Sequence, residues 1–126
     1  MKGIIGPGWS IRLHDAFEPE FSALPDAVQD ELLALLAVLT EYGPELGRPH
    51  ADTLNGSSFA NMKELRFRVD GGVWRVTYAF DPTREGILLA AGNKAGVGER
   101  RFYKRLIARS DESFAAHLKV LEQKGK

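Results

Sequence analysis

Two alternating runs, Lys63–Asp70 and Val73–Phe80, flank Gly71-Gly72, and this arrangement constrains the fold more than any other feature of the chain. Period-two alternation is the signature of a half-buried strand, and two glycines between such runs suit the positive φ of a tight hairpin turn. With Gly71-Gly72 as the loop, Asp70 faces Val73, Arg68 faces Arg75, Arg66 faces Thr77 and Glu64 faces Ala79. The other side of the ribbon pairs Val69 with Trp74, Phe67 with Val76 and Leu65 with Tyr78, and belongs to a core. A slip of one residue would turn arginines into that core, so the pattern selects the parity of both strands. Three arginines are then expected on one open face. Arg68 directly opposite Arg75 is a repulsive pair, which a bound polyanion would relieve, because guanidinium groups match phosphate oxygens in bidentate geometry. A solvated face on which the arginines splay apart is the plainer alternative.

The remaining elements follow from the same kind of pattern. Trp9, Ile11 and Leu13 alternate with polar residues and predict a strand. Phe17–Leu24 reads as a short helix. A stronger one begins at Pro25, with Val28, Leu32, Leu35, Leu36 and Leu39 on one face, and stops at Tyr42-Gly43-Pro44. Leu33 and Val38 spread apolar surface onto its flanks. Residues 43–61 read as loop, and Asn55-Gly56-Ser57 within it as a turn. Ile87–Ala91 is a continuous apolar run, expected of a strand covered on both faces. Glu99 to about Glu122 is helical, with Ser110 as a possible cap of a second segment. The order predicts an α+β fold: an antiparallel-rich sheet of about four strands, with N-terminal helices and a C-terminal helix packed against it.

At 126 residues and 44% apolar content the chain has the size and core material of one domain, here 1–126. The net charge is zero, yet residues 1–60 hold three basic side chains against nine acidic ones, and residues 61–126 fourteen against eight. That asymmetry hints at an anionic partner. The densest basic block contains Arg100, Arg101, Lys104, Arg105 and Arg109. There is no cysteine, so disulfides, thiolate metal sites and thiol nucleophiles are excluded. His14, His50 and His117 lack ligand spacing, and neither a metal nor an organic cofactor is expected. No apolar run reaches the ~20 residues of a membrane span, and Met1–Gly8 does not resemble a signal peptide, so a cytoplasmic protein is expected.

A metal-free reaction on a phosphate ester is left open by the residues that remain. RNA carries its own nucleophile, the 2′-hydroxyl. An enzyme must supply a base, cations for the charged phosphorane, and an acid for the departing 5′-oxygen. Tyr103 is a candidate for proton transfer or a helix-core residue. Lys94 ends an apolar strand, where a loop could aim it into a site. His117 is a reserve candidate, more simply a structural histidine. Glu64 is a candidate base or an ion-pair partner of Arg66 or Arg68.

Leu46-Gly47-Arg48-Pro49, Leu54-Asn55-Gly56-Ser57 and Met62-Lys63-Glu64-Leu65-Arg66 resemble the HigB-like branch of the RelE/ParE toxins. So do Val73-Trp74-Arg75-Val76, Ala79-Phe80-Asp81-Pro82, Gly92-Asn93-Lys94 and Phe102-Tyr103-Lys104-Arg105-Leu106-Ile107, the whole spanning about residues 9–121. The resemblance implies the toxin of a type II toxin–antitoxin system: a metal-independent endoribonuclease that cuts mRNA, often on the ribosome. Its partner would be a cognate antitoxin, typically with a helix-turn-helix domain. Carried over position by position, it implies Arg66, Arg75, Lys94 and Tyr103 as catalytic residues. Lys63, Arg68, Arg100, Arg101 and Lys104 are the accompanying candidates for RNA binding. An antitoxin would cover the basic surface, with Leu33 and Val38 as a second contact area. The alternatives are a non-enzymatic poison of DNA gyrase resembling the ParE branch, and an inactive relic that only binds its partner.

Overall fold

The computed structural model describes residues 3–5 and 8–125. In chain order the elements are β1 (Gly3–Ile5), β2 (Ser10–Leu13), α1 (Phe17–Ser22), α2 (Asp26–Tyr42), a 3-10 turn (Gly43–Glu45) and β3 (Ala51–Thr53). Then come β4 (Lys63–Val69), β5 (Gly72–Phe80), β6 (Glu85–Asn93) and α3 (Glu99–Lys124). The strands form one sheet in the order β1-β2-β6-β5-β4-β3. β2 runs parallel to β6 and every other pair is antiparallel. The α+β class holds, and the sheet gains two three-residue edge strands, β1 and β3, too short to show a period.

Parity sorts the side chains between two layers. Leu65, Phe67, Val76, Tyr78 and Leu88 meet the leucine face of α2 and Phe17 of α1. Ala79, Ile87 and Leu89 face the other way, onto Phe114 of α3, and Ala90 packs with Phe102 and Leu106. A bulge opposite Thr77 and Tyr78 inserts one extra residue into β6, which lets Leu89 and Ala90 both point toward α3. Gly92 makes close approach possible there: a Cβ on it would lie 2.8 Å from the Phe102 ring. At the end of α2, Gly43 has φ +60° and lies beneath the Trp9 indole, where a Cβ would collide at 2.4 Å. The charge asymmetry becomes a difference between the layers. α1 and α2 carry Glu18, Glu20, Asp26, Asp30, Glu31 and Glu41 with no Lys or Arg, whereas α3 carries the basic block.

Three sequence expectations are corrected. First, the hairpin loop is Asp70-Gly71, not Gly71-Gly72: Asp70 has φ +47° and Gly71 φ +81°, and Val69 pairs with Gly72. Asp-Gly is a preferred pair for a turn needing positive φ at both positions. The register therefore shifts by two, which preserves both faces but puts Arg66 opposite Arg75, and Arg68 opposite Val73. Second, α3 is continuous through Ser110. That residue is fully buried, bonds back to the Leu106 carbonyl at 2.7 Å and meets the Thr77 hydroxyl at 2.6 Å. Third, the two apolar flanks of α2 are unequal: Leu33 is 45% exposed, whereas Val38 is half-buried against the core and offers less of the second contact area. The Asn55-Gly56-Ser57 segment is a turn as expected, tied to α3 where Ser57 Oγ and the Ser58 amide donate to Asp111.

One core group is ill-matched to its surroundings. The Tyr78 side chain is fully buried, its hydroxyl has no hydrogen-bond partner among the described residues, and burial pushes its ionisation far up. An unpaired buried hydroxyl costs about 1–3 kcal/mol. Tyr78→Phe is therefore expected to raise the melting temperature by a few degrees, with an unchanged circular dichroism spectrum; a lower melting temperature would mean the hydroxyl is satisfied.

Candidate functional site

The polar face of the β4–β5 ribbon is not open. The first turns of α3 lie across it, and the meeting of strand parity with helix position assembles a cluster around one carboxylate. Glu64 on β4 is 3% exposed. Tyr103 of α3 donates its hydroxyl to Glu64 Oε1 at 2.9 Å. Arg75, from β5 and 5% exposed, donates Nε to the Tyr103 oxygen at 3.2 Å, and the same Nε lies 3.8 Å from Glu64 Oε1. Its Nη1 bonds to the Trp74 carbonyl. Arg66 completes the cluster, with Nη1 3.4 Å from Glu64 Oε2. The expectation that Arg68 and Arg75 jointly grip a phosphate backbone is thus corrected. The two are not cross-strand partners, and Arg75 is enclosed by Tyr103 and Glu64.

Lys94 follows β6 and joins from the other side. Its ammonium lies 5.8 Å from the Tyr103 ring centroid and 3.0 Å from Glu99. A cleft of about 700 Å³ opens over Glu64, Arg66 and Tyr103, with Arg48, Asp52, Arg100 and Lys104 also on its walls. Asp52 accepts from Arg48 at 2.7 Å and lies 3.5 Å from Arg66. Arg48 and Asp52 went unseen as site residues because they lie in the stretch read as loop. Only the pairing of β3 with β4 places Asp52 opposite Glu64. The sole local signal was the opposite charges four residues apart.

The environment differentiates these groups. Burial pushes the Glu64 carboxyl up, and the Tyr103 hydrogen bond and the charges of Arg75 and Arg66 oppose this only in part. Burial likewise raises Tyr103, helped by the Glu64 charge and opposed by Arg75. The Arg48 hydrogen bonds hold the Asp52 carboxyl below the usual range. A carboxylate raised toward neutrality, beside a phenol that keeps its proton, is equipped to accept one proton and supply another.

The other candidates fall elsewhere. Lys63 points to the opposite layer, where its ammonium is held by the carbonyls of Pro44 and Leu46. This removes it from the cleft, since its parity matches Leu65 and Phe67. Arg68 is exposed and does not line the cleft. Arg101 lies in a neighbouring depression along α3, which also holds Arg100, Lys104 and Arg105. Arg109 ties α1 and β6 together through Glu20 and the Ala91 carbonyl. His117 lies 14 residues beyond Tyr103 on α3, roughly 21 Å along the axis. It is buried against Asp81 at 2.7 Å and takes no part in the cluster. Among the described residues no group of three or more His, Asp or Glu could hold a metal ion, and no helix is long and apolar enough to cross a membrane.

Comparison with known proteins agrees with this architecture. The family described as "Phage derived protein Gp49-like (DUF891)" matches residues 19–115. A Mycobacterium tuberculosis protein named "Putative toxin HigB2" is 48% identical over 92 residues, 72% of this chain but only 45% of that protein's length. A second from the same organism, "Putative toxin HigB3", is 41% identical over 92 residues, covering 73% of this chain and 78% of that one. A solved structure of a double-arginine variant of the E. coli toxin RelE in the free state superposes with a TM-score of 0.55. It covers 79% of this chain and 94% of the other at 15% identity, a likeness of fold. The chain therefore belongs to the phage-derived Gp49-like family, as a HigB-like member built on the RelE fold.

Proposed function

We propose that this chain is the toxin of a type II toxin–antitoxin pair and acts as an endoribonuclease on mRNA. The observation that carries the reading is the buried Glu64 carboxylate, set between the Tyr103 hydroxyl and two guanidiniums beneath a cleft walled by Arg48, Arg100 and Lys104. The names of the mycobacterial relatives support the toxin assignment. In this reading an RNA 2′-hydroxyl replaces Tyr103 as the donor to Glu64. Glu64 takes its proton as the 2′-oxygen attacks the adjacent phosphorus. Tyr103, released from Glu64, gives its proton to the departing 5′-oxygen, and a 2′,3′-cyclic phosphate remains. Arg66, on the cleft wall, neutralises the phosphorane, and Lys94, held by Glu99 beside the Tyr103 ring and outside the cleft lining, favours the phenolate that Tyr103 becomes. Arg75, deeply buried, is a positioning residue that orients Glu64 and Tyr103. Arg100 and Lys104 hold the flanking backbone. The cognate antitoxin silences the protein in the cytoplasm by covering this basic wall.

The test uses purified protein and a single-stranded RNA, with products mapped at both ends. Cleavage leaving 2′,3′-cyclic phosphate and 5′-hydroxyl termini, and lost when the scissile nucleotide is 2′-deoxy, is the expected result. Intact RNA, on or off the ribosome, together with inhibition of DNA supercoiling by gyrase would overturn it. Capture of the neighbouring gene's product tests the antitoxin.

A further inference from the structure

Arg66 is shared between two carboxylates and makes only a long contact to each. Its Nη1 lies 3.4 Å from Glu64 Oε2 and 3.5 Å from Asp52 Oδ2, both longer than the ~2.7–2.9 Å of a well-made charge-assisted bond. The cause is the β3–β4 register. Asp52 and Glu64 are direct cross-strand partners, so the guanidinium two residues along lies between them. Arg48 reaches the same Asp52 oxygen with Nε at 3.0 Å and Nη2 at 2.7 Å. Two guanidiniums therefore converge on one anionic oxygen in the wall of the cleft, the arrangement a phosphate diester would exploit. The Arg48 side chain is 70% exposed, and ion pairs this open are weak and readily exchanged.

We propose that Arg48 and Arg66 form a phosphate subsite for the RNA backbone and that Asp52 is its built-in counter-ion, displaced when RNA binds. The inference rests on the reading of the cleft as an RNA site and adds a residue that restrains it. Asp52 keeps the two arginines in place without substrate and lowers affinity for weakly held polyanions. The second Asp52 oxygen accepts the Thr53 amide at 2.9 Å, so the carboxylate is anchored to its own strand and cannot follow the arginines onto a ligand.

The test is binding of a short 2′-O-methyl RNA, which cannot be cleaved, by fluorescence anisotropy across a salt series. Asp52→Asn retains an oxygen for the Thr53 amide and removes the competing charge. It is expected to bind about fivefold more tightly near 0.1 M salt. Its log–log salt slope should steepen by about 0.7, as expected for one more net positive charge facing the RNA backbone. Arg48→Ala should weaken binding, and in the Arg48→Ala/Asp52→Asn double variant the gain should vanish. That non-additivity separates a local subsite from a general change of net charge. Unchanged or weaker binding by Asp52→Asn, or a gain that persists without Arg48, overturns the inference while leaving the cleft as an RNA site. Failure of the unmodified protein both to bind this RNA and to cleave unmodified RNA, on or off the ribosome, overturns the parent reading instead.

Discussion

Glu64→Gln is expected to lower the rate of RNA cleavage by about 10²–10⁴-fold, the range for losing a general base, while the protein stays folded. Glutamine keeps the shape of the Glu64 side chain and an acceptor for Tyr103, but it cannot take a proton. The pH behaviour follows from the direction of the shift. The Glu64 carboxyl titrates higher in the fold than in the unfolded chain, chiefly because it is buried. Stability linked to its neutral form is therefore complete below the unfolded value and is lost as pH rises through the folded value. Glutamine mimics that neutral form. The variant should melt no lower than the parent at pH 8, and the two should converge toward pH 4. In the parent, the acid limb of the rate profile should lie above the ordinary glutamate range and vanish with the substitution. Cleavage within tenfold of the parent would remove Glu64 from the mechanism, whereas an unfolded variant would make it a structural residue.

The largest stability effect is expected far from the cleft. Asp81, at the end of β5, accepts from the Thr83 amide, the Thr83 hydroxyl and the Glu85 amide through Oδ1, at 2.9, 2.7 and 3.1 Å. Its Oδ2 lies 2.7 Å from His117 Nε2. One carboxylate thus closes the β5–β6 turn, where Arg84 has φ +68°, and fastens it to the second half of α3. Asp81→Ala removes the shared acceptor of the buried His117 ring and of the turn donors of Thr83 and Glu85, and is expected to cost about 3–5 kcal/mol. For a chain of 126 residues that is a fall in melting temperature of roughly 10–20 °C. Burial alone would raise the Asp81 carboxyl, but the bonds from His117, Thr83 and the turn backbone together hold it below the usual range. Its contribution is then present above the unfolded value and is lost as pH falls through the folded one. The parent should lose stability below roughly pH 4 more steeply than the variant. Cleavage at a permissive temperature should survive, because Asp81 and His117 lie outside the cleft. A melting temperature within two or three degrees of the parent would show that the turn closes without this carboxylate.

Legibility in the sequence tracked length and period. α2, α3 and the three long strands carry enough repeats to declare their type and their buried side. β1 and β3, at three residues each, carry no repeat, and with β3 went Asp52 and the approach of Arg48 to the cleft. The hairpin loop was misplaced by one residue because Gly71-Gly72 and Asp70-Gly71 both satisfy the local turn chemistry. Only the packing of both strands distinguishes them. Ser110 had the residue type of a cap, but Thr77 of a strand distant in sequence supplies its partner, so the helix continues. The sequence marks Tyr103, Arg66, Arg75 and Glu64 as candidates but not their arrangement, since alternation alone leaves Arg75 on an open surface.

The sequence by itself determined which residues share a face: Glu64, Arg66 and Arg75 against Leu65, Phe67 and Val76. Side-chain alternation is a local consequence of strand geometry, and it survived even a shift in register. Only the tertiary structure decided that α3 would cross the polar face. That crossing seals Arg75 beneath Tyr103, raises Glu64 by burial, and turns an exposed row of cations into an enclosed carboxylate site. The position of a helix over a sheet is set by contacts between segments far apart in the chain, which no local period records.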